Sequence, residues 1–307
     1  MDRRESQTMQ GVSEKADGLP PVGCSDCSPF GGRGYVFERP SGRENPIGRV
    51  VVCGCVARTC TCGALRPQER VPGPPYGELA DRTASATDEP ECVCWPVRRR
   101  VALVNRMLAE SAIGGLYRGK LLDDYRTMTP QGQVIEEAER ARGQASTWLE
   151  DIVRGKNAMS LYLYGPPGDG KTLLACALLS ELIVRAGRQG LYVHLSRDYF
   201  QRLRNTYDDQ VAYAETTEQV FSRLTNVPYL VLDDLGVERG STWEVEWLYN
   251  LVDARYQNSR PFIVTANQSF DDLRELSHGR IASRLRHMCV GVKLPEADLR
   301  QYFDYGA

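Results

Sequence analysis

Leu161-Tyr-Leu-Tyr-Gly165-Pro166-Pro167-Gly168-Asp169-Gly170-Lys171-Thr172 carries a short apolar run into a glycine-rich turn that closes on Gly-Lys-Thr and opens a long apolar segment beginning at Leu173. This order of strand, turn and helix is that of a phosphate-binding loop. Gly165, Gly168 and Gly170 let the backbone bend so that successive N–H groups converge on phosphate oxygens, and the helix that follows adds its positive dipole end. Lys171 is then expected to reach the β and γ phosphates, with the Thr172 hydroxyl on Mg²⁺. A Gly/Pro turn without a ligand is the plainer alternative.

Downstream, Pro228-Tyr-Leu-Val-Leu-Asp233-Asp234-Leu-Gly236 reads as a buried strand delivering two carboxylates at its C-terminal end, where parallel α/β sheets gather their ligands. Asp233 is expected to hold Mg²⁺ through water and Asp234 to orient or deprotonate an attacking water. Pro261-Phe-Ile-Val-Thr-Ala-Asn267 is a further core strand with a polar tip. Asn267 there suits either a contact to the lytic water or γ-phosphate, or a structural turn. Thr172 to Ala186 and Thr242 to Tyr256 read as helices, and Leu191 to Leu195 as a strand with His194 as a core histidine. Ser196 is expected to cap a helix starting at Arg197. The segment Gly279 to Met288 sets Arg280 and Arg284 on one helical face. Val290 to Leu294 reads as a last strand, with too little chain after it for a separate helical lid.

The 307-residue chain, with 42% hydrophobic residues, has room for a sizeable core, and its net charge of −2 leaves nucleic-acid binding to local patches. No apolar run approaches the roughly 20 residues needed to span a bilayer, so a cytoplasmic protein is expected. Of the 10 cysteines, all but Cys176 and Cys289 precede Trp95. Cys24/Cys27, Cys53/Cys55, Cys60/Cys62 and Cys92/Cys94 come in CxxC and CxC pairs, which in a reducing compartment suit zinc better than disulfides. Cys24, Cys27, Cys53 and Cys55 can face each other as two knuckles. Spacing does not settle the pairing: Cys92/Cys94 compete with Cys53/Cys55 as the completion of the Cys24/Cys27 site. A helix is predicted over Val97 to Ala112, opening on Arg98-Arg-Arg100, which is either a phosphate contact or a solvated helix end; another is predicted over about Gln131 to Val153.

From about Tyr117 onward these motifs resemble the AAA+ ATPases of the DnaC/DnaI helicase-loader and IstB transposition-helper group. Gly165 to Thr172 stands as Walker A, Leu230 to Gly236 as Walker B, Val264-Thr-Ala-Asn267 as sensor 1, and Gly279-Arg-Ile-Ala-Ser-Arg-Leu285 as the box VII arginine motif. The resemblance implies an α/β fold, a P-loop parallel sheet flanked by helices, with a small cysteine-rich N-terminal zinc module and little or no C-terminal lid. It implies a nucleotide set of Gly165, Pro166, Pro167, Gly168, Asp169, Gly170, Lys171, Thr172, Leu173 and Asp233, with Thr172 and Asp233 on Mg²⁺. Lys171, Asp234, Asn267, Arg284 and Arg280 are the implied catalytic set. Arg284 is the implied arginine finger of a self-associated assembly, with Arg280 at the interface or as the alternative finger, and Arg300 is a candidate for sensor 2. Arg202 and Arg204, on a segment similar to one that faces single-stranded DNA, are implied DNA contacts. The cysteine region is similar to the zinc-binding module of DnaI-like loaders, except that it has three CxC pairs where one suffices.

The expected organisation is a disordered tail over 1–22, a cysteine-rich zinc module over 23–96, a linker helix over 97–116 and an AAA+ domain over 117–307. The expected function is an ATP–Mg²⁺ and single-stranded-DNA-binding ATPase that loads a DnaB-like replicative helicase. An IstB-like transposition helper, or a nucleotide-gated adaptor that barely hydrolyses ATP, is the alternative.

Overall fold

Five short runs rich in Leu, Val, Ile and aromatic residues build the central sheet. In the computed structural model they are β3 (Ser160–Tyr164), β4 (Gly190–His194), β5 (Tyr229–Leu235), β6 (Phe262–Ala266) and β7 (Cys289–Lys293), all parallel, in the order β4-β5-β6-β3-β7. The structure describes residues 24–41, 45, 48–62, 65, 92, 94–156, 159–195, 216–236, 242–273 and 279–301. The tail expected up to residue 22, the predicted helix after Ser196, Arg202 and Arg204 lie outside these residues. Among the described residues no helix is long and apolar enough to cross a membrane.

Parallel strands need crossovers, and helices supply them. The chain leaves β3 through α4 (Lys171–Ala186), reaches the far edge at β4, and returns through α5 (Thr217–Asn226) to β5 and through α6 (Thr242–Gln257) to β6. β6 thereby lies between β3 and β5, and α7 (Arg280–Met288) leads to β7 on the other side. This topology sets the C-terminal ends of β3, β5 and β6 side by side. β6 is buried at every residue, as expected of a strand covered on both faces, whereas edge strand β7 exposes Val290 and Gly291.

The helix boundaries follow their caps. Gly170 and Gly187 flank α4 in the left-handed region, and the Gly187 N–H closes on the Ile183 carbonyl. Thr216 and Gln219 form a reciprocal capping box at the start of α5. In α7, Ile281, Ala282 and Leu285 form the buried stripe, which leaves the arginines on the other side.

The chain divides into two compact units, one of Met1–Val36 with Val52–Arg99 and one of Phe37–Val51 with Arg100–Ala307. The first holds the eight N-terminal cysteines and a short helix α1 (Gly54–Thr59), and the second holds the sheet. Two short strands, β1 (Tyr35–Glu38) and β2 (Arg49–Val52), pair with each other. The helix expected from Val97 begins at Cys94 and runs to Glu110 as α2, and the one expected from about Gln131 begins at Glu136 and runs to Val153 as α3.

Arg255 of α6 is fully buried. It donates to the Leu224 and Val227 carbonyls at the end of α5, at 2.7 and 3.0 Å, and to Pro261 O ahead of β6 at 2.7 Å. A cation thus satisfies helix-end carbonyls that would otherwise be buried unpaired. Arg255→Met is expected to lower unfolding stability by about 3 kcal/mol by stranding those carbonyls. Urea denaturation followed by circular dichroism checks this; a loss within about 0.5 kcal/mol, the range of ordinary surface changes, would contradict it.

Candidate functional site

The loop after β3 wraps closely on itself. Gly168 and Gly170 have φ of +93° and +88°, conformations that a side chain would strain. At Gly165 a Cβ would collide with Asp169 Oδ2, and at Gly168 with Asp298 Oδ1. Lys171 Nζ donates to Gly165 O at 2.8 Å, Pro166 O at 2.7 Å and Asp169 Oδ1 at 2.9 Å. The Leu299 N–H donates to Gly168 O at 2.9 Å, so the turn Leu299–Gln301 abuts the loop. Leu173, the first apolar residue of α4 beyond Thr172, is buried.

Beside the loop, the strand tips bring the two carboxylates into place by different means. Asp233 is almost fully buried and accepts three hydroxyls: Thr172 Oγ1 at 3.0 Å, Tyr192 OH at 2.7 Å and Thr265 Oγ1 at 2.6 Å. The register between β5 and β6 shifts between Leu232 and Leu235, so both aspartates sit in a bulge, and Asp234 takes φ +66°. The Asp234 N–H is held by Thr265 Oγ1 at 2.9 Å. Its side chain lies near Asn267 Nδ2, at 3.4 Å, and His194 Nε2, at 4.0 Å. Burial, followed by the charge of Asp233, raises the Asp234 pKa; His194 and Lys171 oppose the rise. A carboxylate so placed suits proton acceptance from water.

Three contributors to this site are absent from the sequence-derived set: Tyr192, Thr265 and His194. His194, read from sequence as a core histidine, is paired in register with Asp233 and faces Asp234. A polar residue ending a strand next to the Asp-Asp strand was the available signal. Thr265 lies inside the Val264–Asn267 motif, and its hydroxyl donates to the Asp233 carboxylate and accepts the Asp234 backbone N–H.

Arg280 and Arg284 fall on one face of α7, with guanidinium carbons 4.5 and 4.6 Å from the Tyr249 ring centroid. Arg284 is engaged within its own chain: its Nε pairs with Asp253 and its NH2 group donates to Tyr249 OH at 2.8 Å. Arg280 is the exposed member of the pair. The Arg300 N–H donates to Asp298 Oδ1 at 3.0 Å.

The eight N-terminal cysteines form two separate clusters, Cys24/Cys27/Cys53/Cys55 and Cys60/Cys62/Cys92/Cys94. Sulfur separations are 3.7 and 3.9 Å in the first and 3.4, 3.5 and 3.8 Å in the second. A tetrahedron of thiolates about 2.3 Å from Zn²⁺ has edges of about 3.8 Å, so both clusters fit the ion. The first is built from tight turns, with Ser28 N–H on Cys24 O and Gly32 N–H on Cys27 O, and Cys53 N–H on Gly34 O. In the second, Cys94 is the first residue of α2 and Cys62 is exposed.

The family described as IstB-like ATP binding protein matches residues 147–300. The replicative helicase loader DnaC of Escherichia coli is 27% identical over 187 residues, 61% of this chain and 71% of that protein. A Sinorhizobium fredii protein described as an insertion sequence ATP-binding protein is 30% identical over 214 residues, 65% of this chain and 62% of that one. Among solved structures, the DnaC helicase loader aligns with a TM-score of 0.50 and 26% identity, covering 58% of this chain and 98% of that one.

The purified chain is expected to carry two Zn²⁺ per polypeptide, with Cys53→Ser and Cys94→Ser each losing one and keeping the other. Elemental analysis of the three proteins checks this. A single ion in the wild type, or loss of both from either variant, would refute two independent sites.

Proposed function

Because the chain belongs to the IstB-like ATP-binding protein family and has the DnaC-like AAA+ fold, we propose that it is an ATPase that binds ATP–Mg²⁺ and single-stranded DNA and loads a DnaB-like replicative helicase. The observation that carries the ATPase reading is the hydroxyl–carboxylate chain from Thr172 through Asp233 and Thr265 to Asp234, next to a lysine-bearing phosphate loop. Thr172 and Asp233 offer oxygen ligands of the kind a hard divalent cation takes, and the cation would offset charge on the phosphates. The backbone N–H groups from Gly168 to Thr172 and the Lys171 ammonium bind the phosphates in this reading. Asp234 accepts a proton from water held with the help of Asn267, and His194 steadies the Asp234 carboxylate. Arg284 acts on the ATP of a neighbouring copy, for which it must leave Asp253 and Tyr249, with Arg280 holding the interface or serving as the alternative finger.

Loading of a helicase is favoured over transposition help by the cysteine clusters ahead of the core, a feature the resemblance connects with DnaI-like loaders. In the proposed division of labour the cysteine region binds the helicase. The core binds DNA when ATP draws protomers together, with Arg202 and Arg204 as the strand contacts.

Two measurements test these assignments. Lys171→Ala is expected to abolish binding of a fluorescent ATP analogue, whereas Asp234→Asn retains it and loses turnover by about 10²-fold or more. Equal loss of affinity in both variants would contradict the roles. The full chain is also expected to retain a hexameric replicative helicase in pull-down and to bind single-stranded DNA only with ATP, with affinity falling steeply as salt rises. Failure to retain any helicase, together with ATP-dependent preference for duplex DNA, would favour the transposition-helper reading.

A further inference from the structure

Asp169 occupies an unusual electrical position. It lies within the phosphate loop, 1% exposed, and contributes a negative charge where the loop's purpose is to receive one. Its Oδ1 accepts the Lys171 ammonium at 2.9 Å and the Lys171 backbone N–H at 3.2 Å. Its Oδ2 has no hydrogen-bond partner and rests against Gly165, where only a glycine leaves room for it.

An ammonium has three N–H donors, and Lys171 directs all of them into its own loop, to Gly165 O, Pro166 O and Asp169 Oδ1. A phosphate that recruits Lys171 must displace some of these. Losing a carbonyl contact is tolerable because the carbonyl keeps its neutral state. Losing the ammonium strands a buried carboxylate beside a second anion, and both then need the same cation. A second carboxylate, Asp298, lies against Gly168, next to the Leu299 N–H bond to Gly168 O.

We propose that Asp169 is an affinity-setting residue, whose carboxylate competes with nucleotide phosphates for the Lys171 ammonium so that the site holds nucleoside di- and triphosphates weakly and exchanges them readily. This rests on the nucleotide-binding reading above and adds to it a built-in opposition to phosphate. A chain whose work depends on exchanging nucleotide gains release without a separate displacement step.

The test is titration of the full chain with fluorescent MgADP, with adenosine as an unlabelled competitor. Asp169→Asn keeps the shape and the acceptor for the Lys171 N–H but removes the charge, so MgADP should bind about tenfold tighter, which corresponds to about 1.4 kcal/mol. Adenosine affinity should stay unchanged, because adenosine brings no phosphate to the loop. Asp169→Thr, a second neutral variant, should tighten MgADP in the same direction, and Asp298→Asn should do so by a smaller factor because Asp298 does not touch Lys171. MgADP affinity unchanged or weakened in both Asp169 variants, with their thermal unfolding intact, overturns the proposal. So does equal tightening of adenosine, which would locate the effect outside the phosphates. Binding of MgADP by none of the proteins, wild type included, overturns the nucleotide reading itself and the proposal with it.

Discussion

The burial of the Asp233 carboxylate is the constraint on which the site is built. A charged group taken out of water costs several kcal/mol unless its lone pairs are met. Here they are met by hydroxyls from α4, β4 and β6. Each partner is itself fixed by a strand or by the first turn of a helix, so the carboxylate ties the phosphate loop to three strands. Thr265 has a double part, since the same oxygen that donates to Asp233 accepts the N–H of Asp234. That bond, with the bulge between Leu232 and Leu235 and the left-handed backbone at Asp234, gives two adjacent carboxylates different surroundings.

Electrostatics around the loop is divided in a similar way. Lys171 has its three donors satisfied within its own loop, one of them by Asp169. Arg284 is likewise held by Asp253 and Tyr249, while Arg280 on the same face of α7 is more exposed. Both cations are thus held by neighbours of their own chain, and any anion that recruits either one has to displace those neighbours. The cysteine clusters follow a different logic. Eight thiols gathered into two sets of four could take metal ions, and metal–thiolate bonds would add cohesion to so small a unit.

The phosphate loop was legible in the sequence because its chemistry is local: glycine positions, the lysine and the threonine act within one turn of chain. The parallel sheet was legible for a related reason, since strands covered on both faces appear as unbroken apolar runs. The Asp-Asp pair and Asn267 were visible as polar tips on such runs. Arg202 and Arg204 remain sequence-based candidates outside the described residues.

Sequence by itself thus determined which apolar runs become the strands of the central sheet and where the glycine-rich loop falls, because periodicity and loop chemistry depend on near neighbours. Only the tertiary structure decided which cysteines belong together. Cys62 and Cys92 are far apart in sequence, and pairing across such a gap depends on where the two chain segments meet, which spacing does not encode. The same holds for His194, assigned to the core from its strand but brought within 4.0 Å of Asp234 by strand order. It holds as well for Arg284, whose partners Tyr249 and Asp253 come from a different helix. In each case a contact between distant segments, formed by folding, settled what local pattern had left open.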